Sequence, residues 1–253
     1  PENFTNYELV SATPANHRGN YPPAGSDITV TYVYRRKNAG NITVNHYEVG
    51  TTTQLYKPTG STTPAAENYD GTGKLGLTEN ITNKAADIDN YEYVSVDVTG
   101  ATGANTPNAN GDTTVTYNAG NQVVNYYYRR KNAANITVHH YIDGTTTELY
   151  TPAGAASPGP ETINGSGKLG LTENLTNRSA DIANYEFVNV EVTAAPGAST
   201  PTATGATGVT YRAGTQTVTY RYRRKNAANI TVHHYEDGTT TELYTPAGAA
   251  APS

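Results

Sequence analysis

The residues best placed to do chemistry are three Arg-Arg-Lys triplets: Arg35, Arg36 and Lys37, then Arg129, Arg130 and Lys131, then Arg223, Arg224 and Lys225. Cations at fixed intervals could grip an acidic polymer such as a sialylated or sulfated glycan. Placed at strand ends, the same charges would instead keep a sheet edge from pairing with other chains. Other candidates weaken on inspection. Gly165-Ser166-Gly167-Lys168 has the Gly and Lys of a phosphate loop, but Leu169 follows where a Ser or Thr should hold magnesium. Asp87-Ile88-Asp89-Asn90 suggests calcium ligands, yet its counterpart Asp181-Ile182-Ala183-Asn184 has lost one acid. His139-His140 and His233-His234 are adjacent on alternating runs, so their rings point to opposite faces and cannot easily share a metal. With Asn45-His46 at the equivalent place, they read as surface and pairing residues. No set of nucleophile, base and orienting group emerges, so the sequence predicts no enzyme, no cofactor and no metal.

These residues sit in a repeat. The triplets lie 94 residues apart, and Gly73-Lys74-Leu75-Gly76-Leu77 returns with the same offset at residues 167–171. Two complete units are expected over residues 38–131 and 132–225. Residues 1–37 match the back part of a unit, with Asn6-Tyr7-Glu8 answering to Asn90-Tyr91-Glu92 and Asn184-Tyr185-Glu186, and residues 226–253 match the front part. An excerpt of a longer array accounts for both ends. The alternative is a filament in which the front part of one chain completes the back part of the next.

Each unit reads as about five strands. Ile136-Thr137-Val138-His139-His140-Tyr141 alternates apolar and polar, Asp143-Gly144 supplies a tight turn, and residues 147–151 run back. Residues 185–192 form a third strand. A closing hairpin is expected between residues 209–211 and 217–223, with Val218, Tyr220 and Tyr222 on one face. Leu77, Ile81, Ala85 and Ile88 fall at helical spacing and predict at most one short helix or a structured loop. Residues 151–160 and 194–205 are rich in Pro, Gly and Ala and read as surface loops. Only Asn132-Ala133-Ala134-Asn135 separates a triplet from the next strand, which favours an elongated, semi-rigid rod.

Composition narrows the class. The 253 residues include no Cys, Met or Trp and only 2 Phe, while 21 Tyr carry nearly all the aromatic surface, which makes most of them candidate core residues. There is no disulfide framework, no long apolar run and no signal-peptide core, so any targeting or anchoring segment is expected outside these residues. A net charge of −5 gives no general attraction for nucleic acid or for an anionic membrane. Asn-x-Thr triplets at Asn41, Asn80, Asn135, Asn174 and Asn229 keep register with the repeat and are potential glycosylation sites. Lys74 and Lys168 also keep their place, as a lysine in an isopeptide bond to Asn would.

The order of Val138 to Tyr141, Asp143-Gly144, Gly167 to Gly170, Asn184-Tyr185-Glu186 and Val218 to Tyr222 resembles the MucBP (mucin-binding) repeats of Gram-positive surface proteins. The first unit repeats it less perfectly, with Val49-Gly50 where the acid of the turn should be. The resemblance implies a mainly β (α+β) fold of β-grasp-like modules, display at the cell surface and adhesion to mucin-type glycoproteins, with no catalytic residue. Immunoglobulin-like β-sandwich repeats are the alternative fold, and a purely structural stalk is the alternative role. The partners expected are a glycoprotein or carbohydrate ligand, neighbouring repeats, and other copies of the chain.

Overall fold

The computed structural model describes residues 2–15, 27–100, 107–193, 201–245 and 247. Strands β1 (Tyr7–Thr13) and β2 (Thr31–Arg36) form an antiparallel pair. The first complete unit contains β3 (Ile42–Glu48), β4 (Glu67–Tyr69), β5 (Thr78–Ile81), β6 (Tyr91–Thr99), β7 (Thr113–Thr116) and β8 (Gln122–Arg130). The second repeats them as β9 (Ile136–Ile142), β10 (Glu161–Ile163), β11 (Thr172–Leu175), β12 (Tyr185–Thr193), β13 (Thr207–Thr210) and β14 (Gln216–Arg224). Each unit is a four-stranded mixed sheet, ordered β4-β3-β8-β6 and β10-β9-β14-β12, with a smaller antiparallel pair, β5-β7 or β11-β13.

First and last strands are parallel neighbours at the centre of each sheet. Gln216 lies opposite Ile136, Val218 opposite Val138 and Tyr220 opposite His140. That is the strand plan of a β-grasp, and it differs from the antiparallel sheets of an immunoglobulin sandwich. The inward side chains of these strands are fully buried, as their alternation dictates. In the second unit Ile136, Val138, Val218, Tyr220 and Tyr222 meet Leu175, Ile182, Val209 and Tyr211, so the small strand pair and its turns cover the sheet. The first unit packs the corresponding residues in the same way.

Three local expectations change. Residues 77–88 form β5 and a run of turns, and no helix is present among the described residues. The amides a helix would need are taken elsewhere: Lys84 N–H donates to the Tyr128 hydroxyl and Ala85 N–H to Asn83 Oδ1, both at 2.9 Å. Residues 147–151 make only a bridge between Tyr141 and Glu148, and the edge of the sheet is β10 instead. The turn itself is as expected, with Gly144 and Gly50 both at positive φ, so the missing acid at Val49 leaves it unchanged. Finally, β13 and β14 do not form a hairpin ladder. Gln216, fully buried, fills the gap by accepting from Arg212 N–H and donating to the Thr210 carbonyl, both at 2.8 Å. Six strands per unit therefore replace five. Of the loop expected over residues 194–205, residues 194–200 lie outside the described residues.

The partial repeats show what the central pair contributes. Residues 226–245 carry the front sequence of a unit but make only the bridge between Tyr235 and Glu242. Ile230 and Val232, counterparts of buried Ile136 and Val138, are 88% and 62% exposed. The alternating pattern alone does not hold this strand; it needs a parallel partner.

Ile136→Ala is expected to destabilise the second unit by about 2–5 kcal/mol, since a fully buried side chain leaves a cavity that a packed sheet cannot close. Leu171→Ala, at an exposed position, should stay within about 0.5 kcal/mol. Urea unfolding followed by far-ultraviolet circular dichroism would read both; equal effects would contradict the core assignment.

Candidate functional site

The triplets lie at the ends of β2, β8 and β14, opposite the Asn-Tyr-Glu motif of the same repeat. Arg36 pairs with Tyr7, Arg130 with Tyr91 and Arg224 with Tyr185, while Arg35, Arg129 and Arg223 face Glu8, Glu92 and Glu186. Antiparallel registry thus brings together two motifs 37 residues apart in the complete repeats and 27 apart in the first partial one.

The three cations of a triplet have different fates. The first arginine points outward and pairs with its glutamate: Arg129 Nε to Glu92 Oε1 is 2.6 Å and Arg223 Nε to Glu186 Oε1 is 2.7 Å, and Arg35 pairs with Glu8 likewise. Exposed pairs of this kind contribute at most about 1 kcal/mol, and each leaves its arginine open to solvent. The second arginine folds inward. Arg130 lies over the Tyr91 ring at 4.6 Å, and its Nη2 donates to the Tyr91 hydroxyl at 2.8 Å. Its Nη1 donates to the Leu169 carbonyl of the following unit at 3.0 Å. Arg36 does the same with Tyr7 and the Leu75 carbonyl. The lysines close the ladder through their backbones: Lys131 N–H donates to the Asn90 carbonyl and Lys225 N–H to that of Asn184, each at 2.8 Å. The Lys37 amine reaches the Thr5 carbonyl at 3.0 Å, whereas Lys131 and Lys225 are exposed.

An open cleft of about 460 Å³ lies beside the middle triplet, lined by Glu48, Val49, Arg129, Arg130, Asn132, Ser166 and Gly167. Its polar lining combines an outward guanidinium, a carboxylate, an amide and a hydroxyl, which suits a hydroxyl-rich or anionic ligand. The linker beneath it is bonded into the second unit, with Ala133 N–H donating to the Gly165 carbonyl and Ala134 N–H to that of Arg212.

The remaining sequence candidates take structural roles. In the Gly165-Ser166-Gly167-Lys168 turn, the amides that a phosphate would require donate to Asn135, Asn164 and Asn132. The Lys168 amine sits 3.1 Å from both Glu173 and the Tyr211 hydroxyl, and Lys74 sits on Glu79 and Tyr117 in the same way, so each amine is held by a carboxylate and a phenol hydroxyl instead of an asparagine. Among the described residues no group of three or more His, Cys, Asp or Glu is arranged to hold a metal. Within the sequons, Asn41 and Asn135 spend their side-chain oxygens on the Gly71 and Gly165 amides.

The histidines are a correction. His139 and His140 do face opposite sides, but His140 and its counterpart His46 are fully buried rather than at the surface. His140 stacks on Tyr220, with ring centroids 5.3 Å apart. The Tyr222 hydroxyl accepts from Arg178 N–H and donates to His140 Nδ1, leaving Nε2–H to donate to Glu161 Oε2 at 2.9 Å. The Arg178 guanidinium closes the network on Glu161 Oε1 at 2.8 Å. In the first unit Glu67, Tyr128 and Lys84 take these places around His46. A sequence signal for this existed: histidine recurs at positions 46, 140 and 234, whereas its neighbour changes from Asn45 to His139. Burial pulls the pKa of both imidazoles below the ordinary 6.5, opposed in part by the adjacent glutamates.

With this geometry in place, the class is clear: a tandem array of β-grasp-like repeats whose basic ends recur every 94 residues. The MucBP domain model matches residues 1–35, 41–129 and 135–223, and the chain belongs to that family. No curated protein matches it. Among solved structures, the major pilin from Streptococcus pyogenes and a point mutant of it share 12% identity with the chain, covering 76% of it and all of the pilin, with TM-scores of 0.26 and 0.30. No helix among the described residues is long and apolar enough to cross a membrane, a statement that does not bear on β-barrels.

The lowered histidine pKa values set a pH dependence. The folded units bind fewer protons than the unfolded chain below pH 6.5, so this contribution is complete above that pH and declines as pH falls beneath it. Melting temperature is therefore expected to drop between pH 7 and pH 5, and His140→Gln with His46→Gln should flatten that limb. A melting temperature unchanged over this window would refute it.

Proposed function

We propose that this chain is part of the extracellular repeat region of a cell-surface adhesin, in which MucBP modules spanning residues 38–131 and 132–225, flanked by partial modules 1–37 and 226–253, are displayed in series to mucin-type glycoproteins. The carrying observation is the recurrence of an outward arginine, Arg35, Arg129 or Arg223, at the same end of each repeat. Family membership supports the ligand class, and the polar cleft beside Arg129 and Asn132 supplies donors for sugar hydroxyls or carboxylates. One such site would bind weakly; several on one chain raise the effective concentration of the next and convert weak contacts into avidity. The role needs binding and display but no bond-making chemistry.

A structural stalk is the second reading. It is favoured by the inward arginines Arg36 and Arg130, whose donors are already committed to Leu75 and Leu169. The two readings divide the triplet: one uses the outward cation as a contact, and the other needs only the inward one.

Binding of the chain to immobilised mucin, before and after glycan removal and across a salt series, separates them. The adhesin reading expects saturable, glycan-dependent binding that weakens with salt. Arg129→Gln with Lys131→Gln should then lower affinity roughly tenfold, about 1.4 kcal/mol. Absence of binding in every condition would leave the stalk.

A further inference from the structure

The back end of one repeat meets the Lys-Leu-Gly turn of the next through the same contacts at both junctions where that turn is present. At the second, Arg130 Nη1 donates to the Leu169 carbonyl, and Leu169 N–H donates to the Lys131 carbonyl at 3.2 Å. Gly170 follows at φ +81°, and a Cβ there would lie 2.5 Å from Asn90 Nδ2. At the first, Arg36 Nη1 donates to the Leu75 carbonyl and Leu75 N–H to the Lys37 carbonyl. Gly76, at φ +79°, would place a Cβ 2.3 Å from Asn6 Nδ2. The turn is therefore gripped on three sides: its carbonyl by a guanidinium, its amide by a backbone oxygen, and its glycine by a carboxamide that leaves no space for a side chain.

A third copy of this face is built from Asn184, Tyr185, Arg224 and Lys225. Asn184 holds the same left-handed conformation as Asn90, both at φ 65°, and Lys225 N–H donates to its carbonyl as Lys131 does to that of Asn90. One feature differs. Arg36 and Arg130 are half-buried, 4.7 and 4.6 Å from their tyrosine rings, whereas Arg224 is exposed and 5.9 Å from the Tyr185 ring. The two arginines that hold a turn carbonyl are the two drawn tightly onto tyrosine.

We propose that the Asn-Tyr and Arg-Lys end of every module is a docking surface whose partner is the Lys-Leu-Gly turn of the following MucBP module, and that this docking fixes the orientation between successive modules. The surface at Asn184, Tyr185, Arg224 and Lys225 takes the same turn from a further module. The linker alone, four residues of Asn and Ala with Gly40 in the first junction, does not dictate an angle; the gripped turn does, because it adds contacts away from the covalent path. The inference concerns geometry between modules and holds whether or not the array binds mucin.

The chain has no Cys, so Thr63→Cys and Ser157→Cys, at equivalent exposed positions of the two complete modules, accept spin labels uniquely. The interlabel distance distribution should be narrow in the labelled parent and lose that narrowness in Gly170→Ala, whose methyl must displace the Asn90 carboxamide. Gly144→Ala is the control: Gly144 has φ +74° with no atom within 4 Å of its would-be Cβ, so it carries the same backbone strain without the junction contact. Arg130→Gln tests the same surface without touching the turn. The expected result is broadening in Gly170→Ala and Arg130→Gln with circular dichroism retained, and none in Gly144→Ala. A distribution that stays narrow in both junction variants, or that broadens equally in Gly144→Ala, would overturn the proposal.

Discussion

Each module depends on the parallel pairing of its first strand with its last. β9 and β14 begin 80 residues apart, counted from Ile136 to Gln216, and everything between them is looped out until the pair forms. Closing a loop of that length has an entropic cost that grows only with the logarithm of its length. The return is a sheet centre whose inward side chains become fully buried together. Residues 226–245 show the other side of this balance, since the same sequence without a parallel partner leaves Ile230 and Val232 in solvent. A folded strand here is a property of the pair and not of the segment.

The aromatic inventory follows from what that pair must cover. A core built from tyrosine has many hydroxyls to place, and in these modules several become struts to the backbone of the covering layer, whereas the buried Tyr220 hydroxyl has no hydrogen-bond partner among the described residues. Tyr126 donates to the Ile81 carbonyl, Tyr128 accepts from Lys84 N–H, and Tyr117 reaches Glu79 and Lys74. Burial pushes the Tyr222 hydroxyl up to about 12, so it stays a neutral donor and acceptor over any ordinary pH. The struts hold the turns after β5 and β11 where a helix would otherwise be required to cover the sheet.

This explains what could and could not be read from sequence. The alternation in residues 136–141 and 217–223 reveals which side chains face inward, because period two is local. The repeat length, the turn at Gly144 and the tyrosine core are equally local or statistical. Pairing partners are neither. Nothing in Val209-Thr210-Tyr211 indicates that it will lie beside β11 instead of β14, and Gln216, a polar residue on the inward face of its strand, gives no sign in sequence of its bonds to Arg212 N–H and the Thr210 carbonyl. The triplets were legible as a site, but the division of labour within them arises from registry: moving one position along β8 exchanges Glu92 for Tyr91 as the neighbour and turns an outward ion pair into an inward anchor. His140 reads in sequence as a surface residue because its burial comes from its place opposite Tyr220 and its bond to Glu161, neither of which is local.

The central pair also determines how the array meets a mechanical load. Because β9 and β14 run in the same direction, a module is entered at one end of the sheet centre and left at the other. Tension transmitted along the chain pulls these two strands past each other, parallel to their length. Every hydrogen bond of the ladder, from Gln216 beside Ile136 to Tyr222 beside Ile142, is then loaded at once in shear, whereas a hairpin pulled from its open end would lose its bonds one at a time. A tether made of such modules resists extension at the strands that also hold its core.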